Sequence, residues 1–175
     1  NDVQVICTVM SVDHDNAPEI CGMLGASIAL SISDIPWDGP VGAVIVGLVD
    51  GELVLNPTSK EAARSGLHLV VAGTRDAIMM VEAGANQVPE RTIQEAIEFA
   101  HRHIVELVRF QDGIVAEAGK PKREIPLFLP SEELETAVRE LAEPATREAV
   151  TVPGKLEREQ AVARAHEEIK QRLSE

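Results

Sequence analysis

From Val3 the chain alternates. Val3, Val5, Cys7 and Val9 share one side, with Gln4, Ile6, Thr8 and Met10 between them. A period of two with β-branched residues predicts a strand. The period then changes. Ile20, Met23, Leu24, Ile28 and Leu30 fall at mostly helical spacings, interleaved with the small residues Gly22, Gly25, Ala26 and Ala29. Asn16 is a candidate N-cap, Pro18 suits the first turn and Glu19 suits the positive end of a helix. A glycine inside a helix costs about 1 kcal/mol relative to alanine, so the small face is expected to pack closely on another element.

SDIPWDGPVG is turn chemistry, with Pro36, Gly39, Pro40 and Gly42. AVIVGLV then predicts a buried strand, Asp50–Gly51 a hairpin turn, and ELVL the returning strand. NPTSKEAARSG holds a single helical turn ended by Gly66. Leu67–Ala72 and Ala77–Ala83 follow as strands joined by GTRD. After Pro89, the residues Ile93, Ala96, Ile97, Ala100, Ile104, Leu107 and Val108 form one stripe at 3.6 spacing. They predict a long helix to about Ala118 that covers the sheet. GKPKREIPLFLPSEE breaks the pattern with three prolines. Ser131 is a good cap for the next helix. TVPGK interrupts again, and Lys155 to Leu173 reads as a charged, weakly amphipathic helix.

The predicted order is β-α-β-β-β-β-α, then a linker and two helices. Successive hairpins make the sheet mixed or mostly antiparallel. The fold class is α+β: a two-layer domain with helices packed on one face, followed by an all-α segment. Charge places the same boundary. Residues 1–118 hold 6 Lys/Arg against 17 Asp/Glu, whereas residues 119–175 hold 10 against 12. We divide the chain at 118/119.

Composition narrows the functional classes. The 175 residues are 45% hydrophobic but hold only three Phe, one Trp and no Tyr. The core must come from aliphatic residues, and a stacking platform for bases is disfavoured. A net charge of −13 repels phosphate backbones on average. Cys7 and Cys21 read as buried thiols of a reducing compartment, with a disulfide or a reactive thiol as the alternative. No apolar run is long enough to span a bilayer, and a cytoplasmic location is expected. The immediate strand without an initiator Met looks like a piece starting inside a larger protein; a processed chain is the alternative.

Chemistry-bearing residues are few. Lys60, Glu61, Arg64 and His68 cluster before the Leu67–Ala72 strand. His101 and His103 are two apart on a helix, a spacing that does not make a metal pair. Glu82 alternates with Met80 and Ile78 and reads as an edge-facing or paired acid. Asp13, Asp15 and Asp50 read as turn residues. Glu157, Glu159, Glu167 and Glu168 sit beside Lys and Arg, as on a solvated face. No phosphate loop, HExxH or nucleophile elbow is present.

Several segments together resemble the polynucleotide phosphorylase (polyribonucleotide nucleotidyltransferase) family: NDVQVICTVMSVD, GASIALSISDIPWDGPVGAVIVG, LVLNPT and LVVAGTRDAIMMVE. The similarity runs over roughly residues 1–118, and EAGKP then leads toward the family's helical linker. The resemblance implies the second half of the first ribonuclease PH-like copy plus the start of the helical segment. It implies a parent enzyme that degrades RNA from the 3′ end with phosphate and Mg²⁺, yielding nucleoside diphosphates. It also implies a homotrimeric ring that works on RNA, with other RNA-degradation proteins as further partners.

The active copy of the family carries two Asp and a Lys around the entrance to the VAGT strand. The matching positions here are Ala62, His68 and Val70. Ala62 and Val70 have no ligating atom, and Mg²⁺ wants oxygen rather than the His68 nitrogen. The family's phosphate-holding serine turn is matched by DHDNAPEIC, where Pro18 and Glu19 stand; a carboxylate there repels phosphate. The resemblance therefore implies the non-catalytic copy: no catalytic, cofactor-binding or metal-ligating residue in this chain, with scaffold and ring assembly as its role. A stand-alone α+β interaction protein without RNA activity is the alternative. Arg64, Arg75 and Lys122 are the candidate RNA contacts if this copy helps to line a channel.

Overall fold

The computed structural model describes residues 3–174. The chain forms two compact units, one ending at Ile125 and the other starting at Pro126. In the first unit α1 (Pro18–Ile32) precedes a hairpin of β1 (Gly42–Val49) and β2 (Glu52–Leu55). The short α2 (Ser59–Ala62) leads into β3 (Leu67–Gly73) and β4 (Ile78–Ala85), and α3 (Glu90–Ala118) follows. The strands form one antiparallel sheet in the order β2-β1-β3-β4.

The hairpin turns on Asp50 and Gly51, both at positive φ (52° and 87°). That is the geometry a two-residue turn needs to match the twist of its strands. Register then decides the faces. Val44 pairs with Val71 and Val46 with Leu69, so all four lie on one side of the sheet. Ala96, Ala100, Ile104 and Val108 of α3 cover that side and are fully or almost fully buried. Gly42 allows the close approach. A Cβ there would lie 3.2 Å from the Ile104 carbonyl oxygen and 3.3 Å from Leu107 Cβ. On the opposite face, Gly47 is overlain by Pro57 and Ser65 of the connection between β2 and β3.

Two sequence expectations are corrected. The alternating run at Val3–Met10 joins no strand, and its residues are exposed. A strand exists only where a neighbour accepts its ladder, and the run pairs with none of β1–β4. The run touches α1 through Cys7, whose thiol lies 3.5 Å from the Gly22 carbonyl oxygen. Cys7 and Cys21 are consequently exposed, not buried. Cys7 sits on the unpaired run, and Cys21 begins the outer stripe of α1 that continues through Gly25 and Ala29. A smaller difference concerns the start of α1. Ala17 is the N-cap, and the Asn16 amide instead donates to Asp13 at 2.7 Å.

The end of α1 is capped from far along the chain. Its last turn has no basic residue. Lys122 Nζ supplies the cation, donating to the carbonyls of Leu30, Ser31 and Ser33 at 2.8–2.9 Å. Lys120 N–H to Ile32 O (3.0 Å) and Arg123 N–H to Asp34 O (2.8 Å) fasten the same segment.

In the second unit, α4 (Glu132–Ala149) and α5 (Lys155–Ser174) pack on each other and bury Ala149 and Ile169. Ser131 caps α4 by accepting the Leu134 N–H at 3.2 Å. The helix continues through Pro144, which the breaker pattern did not single out.

Candidate functional site

The connection Asn56–Gly66 carries the polar residues Lys60, Glu61 and Arg64 ahead of β3. Thr58 starts α2 with a capping box. Its Oγ1 accepts from Glu61 N–H, while Glu61 Oε2 accepts the Thr58 N–H and hydroxyl, both at 2.8 Å. The Thr58 backbone N–H, then its hydroxyl, holds the Glu61 carboxyl below the usual carboxylate range. Glu61 is therefore a capping residue. Arg64 reaches back to Asp50 at 3.1 Å, and Lys60 is exposed.

Beyond α2 the chain forms an open cleft of about 320 Å³, lined among others by Ala62, Ser65, His68, Gly84 and Asn86. Ala62 and His68 are thus brought together. Val70 lies two residues along β3 on the His68 face, opposite Glu82 on β4. Every residue of β4 is exposed, so Glu82 is an edge residue as expected. The Ser65 hydroxyl is engaged, donating to Leu67 O at 2.5 Å and accepting the Leu48 N–H at 2.8 Å.

The turn before α1 lies against the same region. Asp13 accepts the N–H groups of Asp15 and Asn16, each at 2.9 Å. The Asn16 backbone N–H, then its side chain, then the Asp15 N–H lower the Asp13 carboxyl below its ordinary value. Ser59, the first residue of α2, donates its N–H to Asp15 O (3.0 Å) and its hydroxyl to His14 O (2.5 Å). Glu19 is exposed in the first turn of α1.

These donors do not fit Mg²⁺ held by a set of carboxylates. Ala62 and Val70 offer no ligating atom, His68 offers nitrogen, and Glu82 is a single carboxylate opposite Val70. No group of three His, Cys, Asp or Glu able to hold a metal occurs among the described residues.

The other candidates fall elsewhere. His101 Nε2 lies 3.2 Å from Thr74 O, so it braces the β3–β4 turn. His103 Nδ1 lies 3.3 Å from Glu106 and packs edge-on to Phe99 at 4.8 Å. Both are half-buried, more enclosed than solvated histidines. Arg75 is bound to Asp112. With Arg64 and Lys122, each candidate RNA-contacting cation is thus engaged within the chain. Glu157, Glu159, Glu167 and Glu168 are exposed, as expected. Sequence reasoning missed Ser59, because a serine that ties two loops together has no periodic or motif signal. No helix among the described residues is long and apolar enough to cross a membrane.

An antiparallel sheet covered by one long helix, with a strand–turn–strand at its edge, is the architecture of a ribonuclease PH-like domain. Residues 39–103 match the family described as 3′ exoribonuclease family, domain 2. A crystal structure of rice (Oryza sativa) Rrp46 shares the fold, with a TM-score of 0.53 and 16% identity over 60% of this chain and 51% of that one.

The resemblance to polyribonucleotide nucleotidyltransferase holds. The chain is 60% identical to the protein of that name from Heliobacterium modesticaldum over 159 residues, 91% of this chain and 22% of the relative. The Geobacillus kaustophilus protein is 54% identical over 93% of this chain and 22% of its own length. That of Syntrophomonas wolfei is 50% identical over all 175 residues and 25% of its own length. The chain therefore spans about a quarter of the length of these relatives, which are named as enzymes.

Proposed function

We propose that this chain is the second half of a non-catalytic ribonuclease PH-like copy within a phosphorolytic 3′-to-5′ exoribonuclease, with the start of a helical linker. The parent enzyme shortens RNA with phosphate and Mg²⁺, releases nucleoside diphosphates, and works as a homotrimer in the cytoplasm alongside other RNA-degradation proteins. This segment contributes scaffold and ring contacts.

One observation carries the reading. Ala62 and His68 share the cleft that matches the metal site of the active copy, and α2 beside it is bonded to the turn that matches the phosphate site. Both regions hold side chains unsuited to the ligands. Glu19 adds a negative charge where an anion is to be held. In the parent, Mg²⁺ and phosphate belong to the sister copy.

The test is phosphate-dependent shortening of RNA by this chain alone. The expected result is no release of nucleoside diphosphates. Diphosphate release that disappears in His68→Ala would overturn the proposal.

A further inference from the structure

The chain after α3 turns back along the end of α1, and the two stretches meet carbonyl by carbonyl. A helix leaves its last carbonyls without partners. Here each one from Leu30 to Asp34 is met. Leu30 O, Ser31 O and Ser33 O accept from Lys122 Nζ at 2.8, 2.9 and 2.8 Å. Ile32 O accepts the Lys120 N–H at 3.0 Å, and Asp34 O accepts the Arg123 N–H at 2.8 Å. The Ser33 hydroxyl shapes the turn, donating to Leu30 O at 2.8 Å and accepting the Ile35 N–H at 3.1 Å.

Three carbonyl oxygens therefore stand at one radius around a single nitrogen. That radius suits one kind of ligand. It is longer than the about 2.0–2.1 Å of Mg²⁺–oxygen bonds or the about 2.3–2.6 Å of Ca²⁺–oxygen bonds. The three oxygens are neutral, whereas sites for divalent ions draw on carboxylates. The Asp34 carboxylate, next in the chain, is bridged to Arg123 at 3.1 Å. The negative end of α1 favours a single positive charge. A large monovalent cation can exchange its water for a set of carbonyl oxygens, as in a potassium filter.

We infer that the end of α1 is a binding site for a large monovalent cation, potassium or ammonium, and that the Lys122 ammonium is its tethered occupant. The tether gives this ammonium a high effective concentration, so it keeps free cations out of the intact chain's site. It also withholds Lys122 from any phosphate backbone. With the tether removed the carbonyls stay in place, because Lys120, Arg123 and the Ser33 hydroxyl still hold them. A free cation then takes the position.

The test compares Lys122→Met with wild type in chloride salts of equal concentration. Tm of the variant should rise by about 2–4 °C more in KCl or NH₄Cl than in LiCl or choline chloride, the shift of a weak site whose cation exceeds its dissociation constant several-fold. Wild type should show no such difference, because its site is filled. A rise no larger than in LiCl or choline chloride would overturn the inference, as would the same cation preference in wild type. Occupancy in wild type is read separately, by limiting acetylation of the folded chain. An ammonium with all three protons on carbonyls offers no lone pair, so Lys122 should react about tenfold or more slower than exposed Lys60. A rate no slower than that of Lys60 would also overturn it, and this measurement decides alone if the variant does not fold.

Discussion

Ser59 is bonded twice to the turn before α1, through its N–H to Asp15 O and through its hydroxyl to His14 O. It joins two stretches about 45 residues apart. The contact ties the turn before α1 to the first residue of α2. Ser59→Ala removes the hydroxyl bond and leaves the N–H bond. We expect a loss of about 0.5–1.5 kcal/mol, read as a lower urea midpoint with an unchanged m-value.

Lys122 acts as a remote cap. Its ammonium binds three carbonyls at the end of α1, which lacks a basic residue in its last turn. Lys122→Met keeps the aliphatic stem and removes the charge. It should cost about 1–2 kcal/mol. Lys122→Glu should cost more, because it sets a negative charge against the negative helix end. Chemical denaturation of the two variants beside wild type checks the order.

Gly73 closes the β3–β4 turn with no room for a side chain. A Cβ there would lie 2.5 Å from Ala77 O and 3.2 Å from Ile78 Cα, both backbone atoms. Gly73→Ala therefore forces the turn to move and should destabilise by about 1–3 kcal/mol. Amide exchange across β4 should accelerate more than exchange in α3.

Acid should weaken the region around Ser59. Asp13 and Glu61 both titrate lower in the folded chain than free, because backbone N–H groups donate to their carboxylates. Their contribution is present above the ordinary values of 3.8 and 4.5 and is lost as pH falls through the lowered folded values. Stability should drop on acidification in that window. The double variant Asp13→Asn, Glu61→Gln should flatten this limb of the stability–pH curve.

The sheet and the long helix were legible because local pattern and tertiary role agree. The stripe from Ile93 to Val108 packs as its period predicts, and Asp50–Gly51 makes the turn its residues favour. The Val3–Met10 strand was not realised, although it alternates where β1 is an unbroken apolar run. Alternation reports a chain suited to a ladder, while the ladder itself needs a neighbour. The cysteine burial failed for the same reason, since Cys7 rides on that run. The cleft was partly legible: Ala62 and His68 could be matched by resemblance, but their meeting depends on the register of β3 with β4 and on the capping box of α2. Ser59 and Lys122 were invisible, because each acts on a backbone group remote in sequence.

The central claim is that the cleft at Ala62 and His68 does no chemistry. The most direct measurement is the phosphorolysis rate of the intact enzyme carrying His68→Ala, assayed with RNA and phosphate beside wild type. kcat and KM should stay within about twofold of wild type. A fall in kcat of about 100-fold or more with the trimer intact, the size expected for loss of a group acting in the transition state, would contradict it.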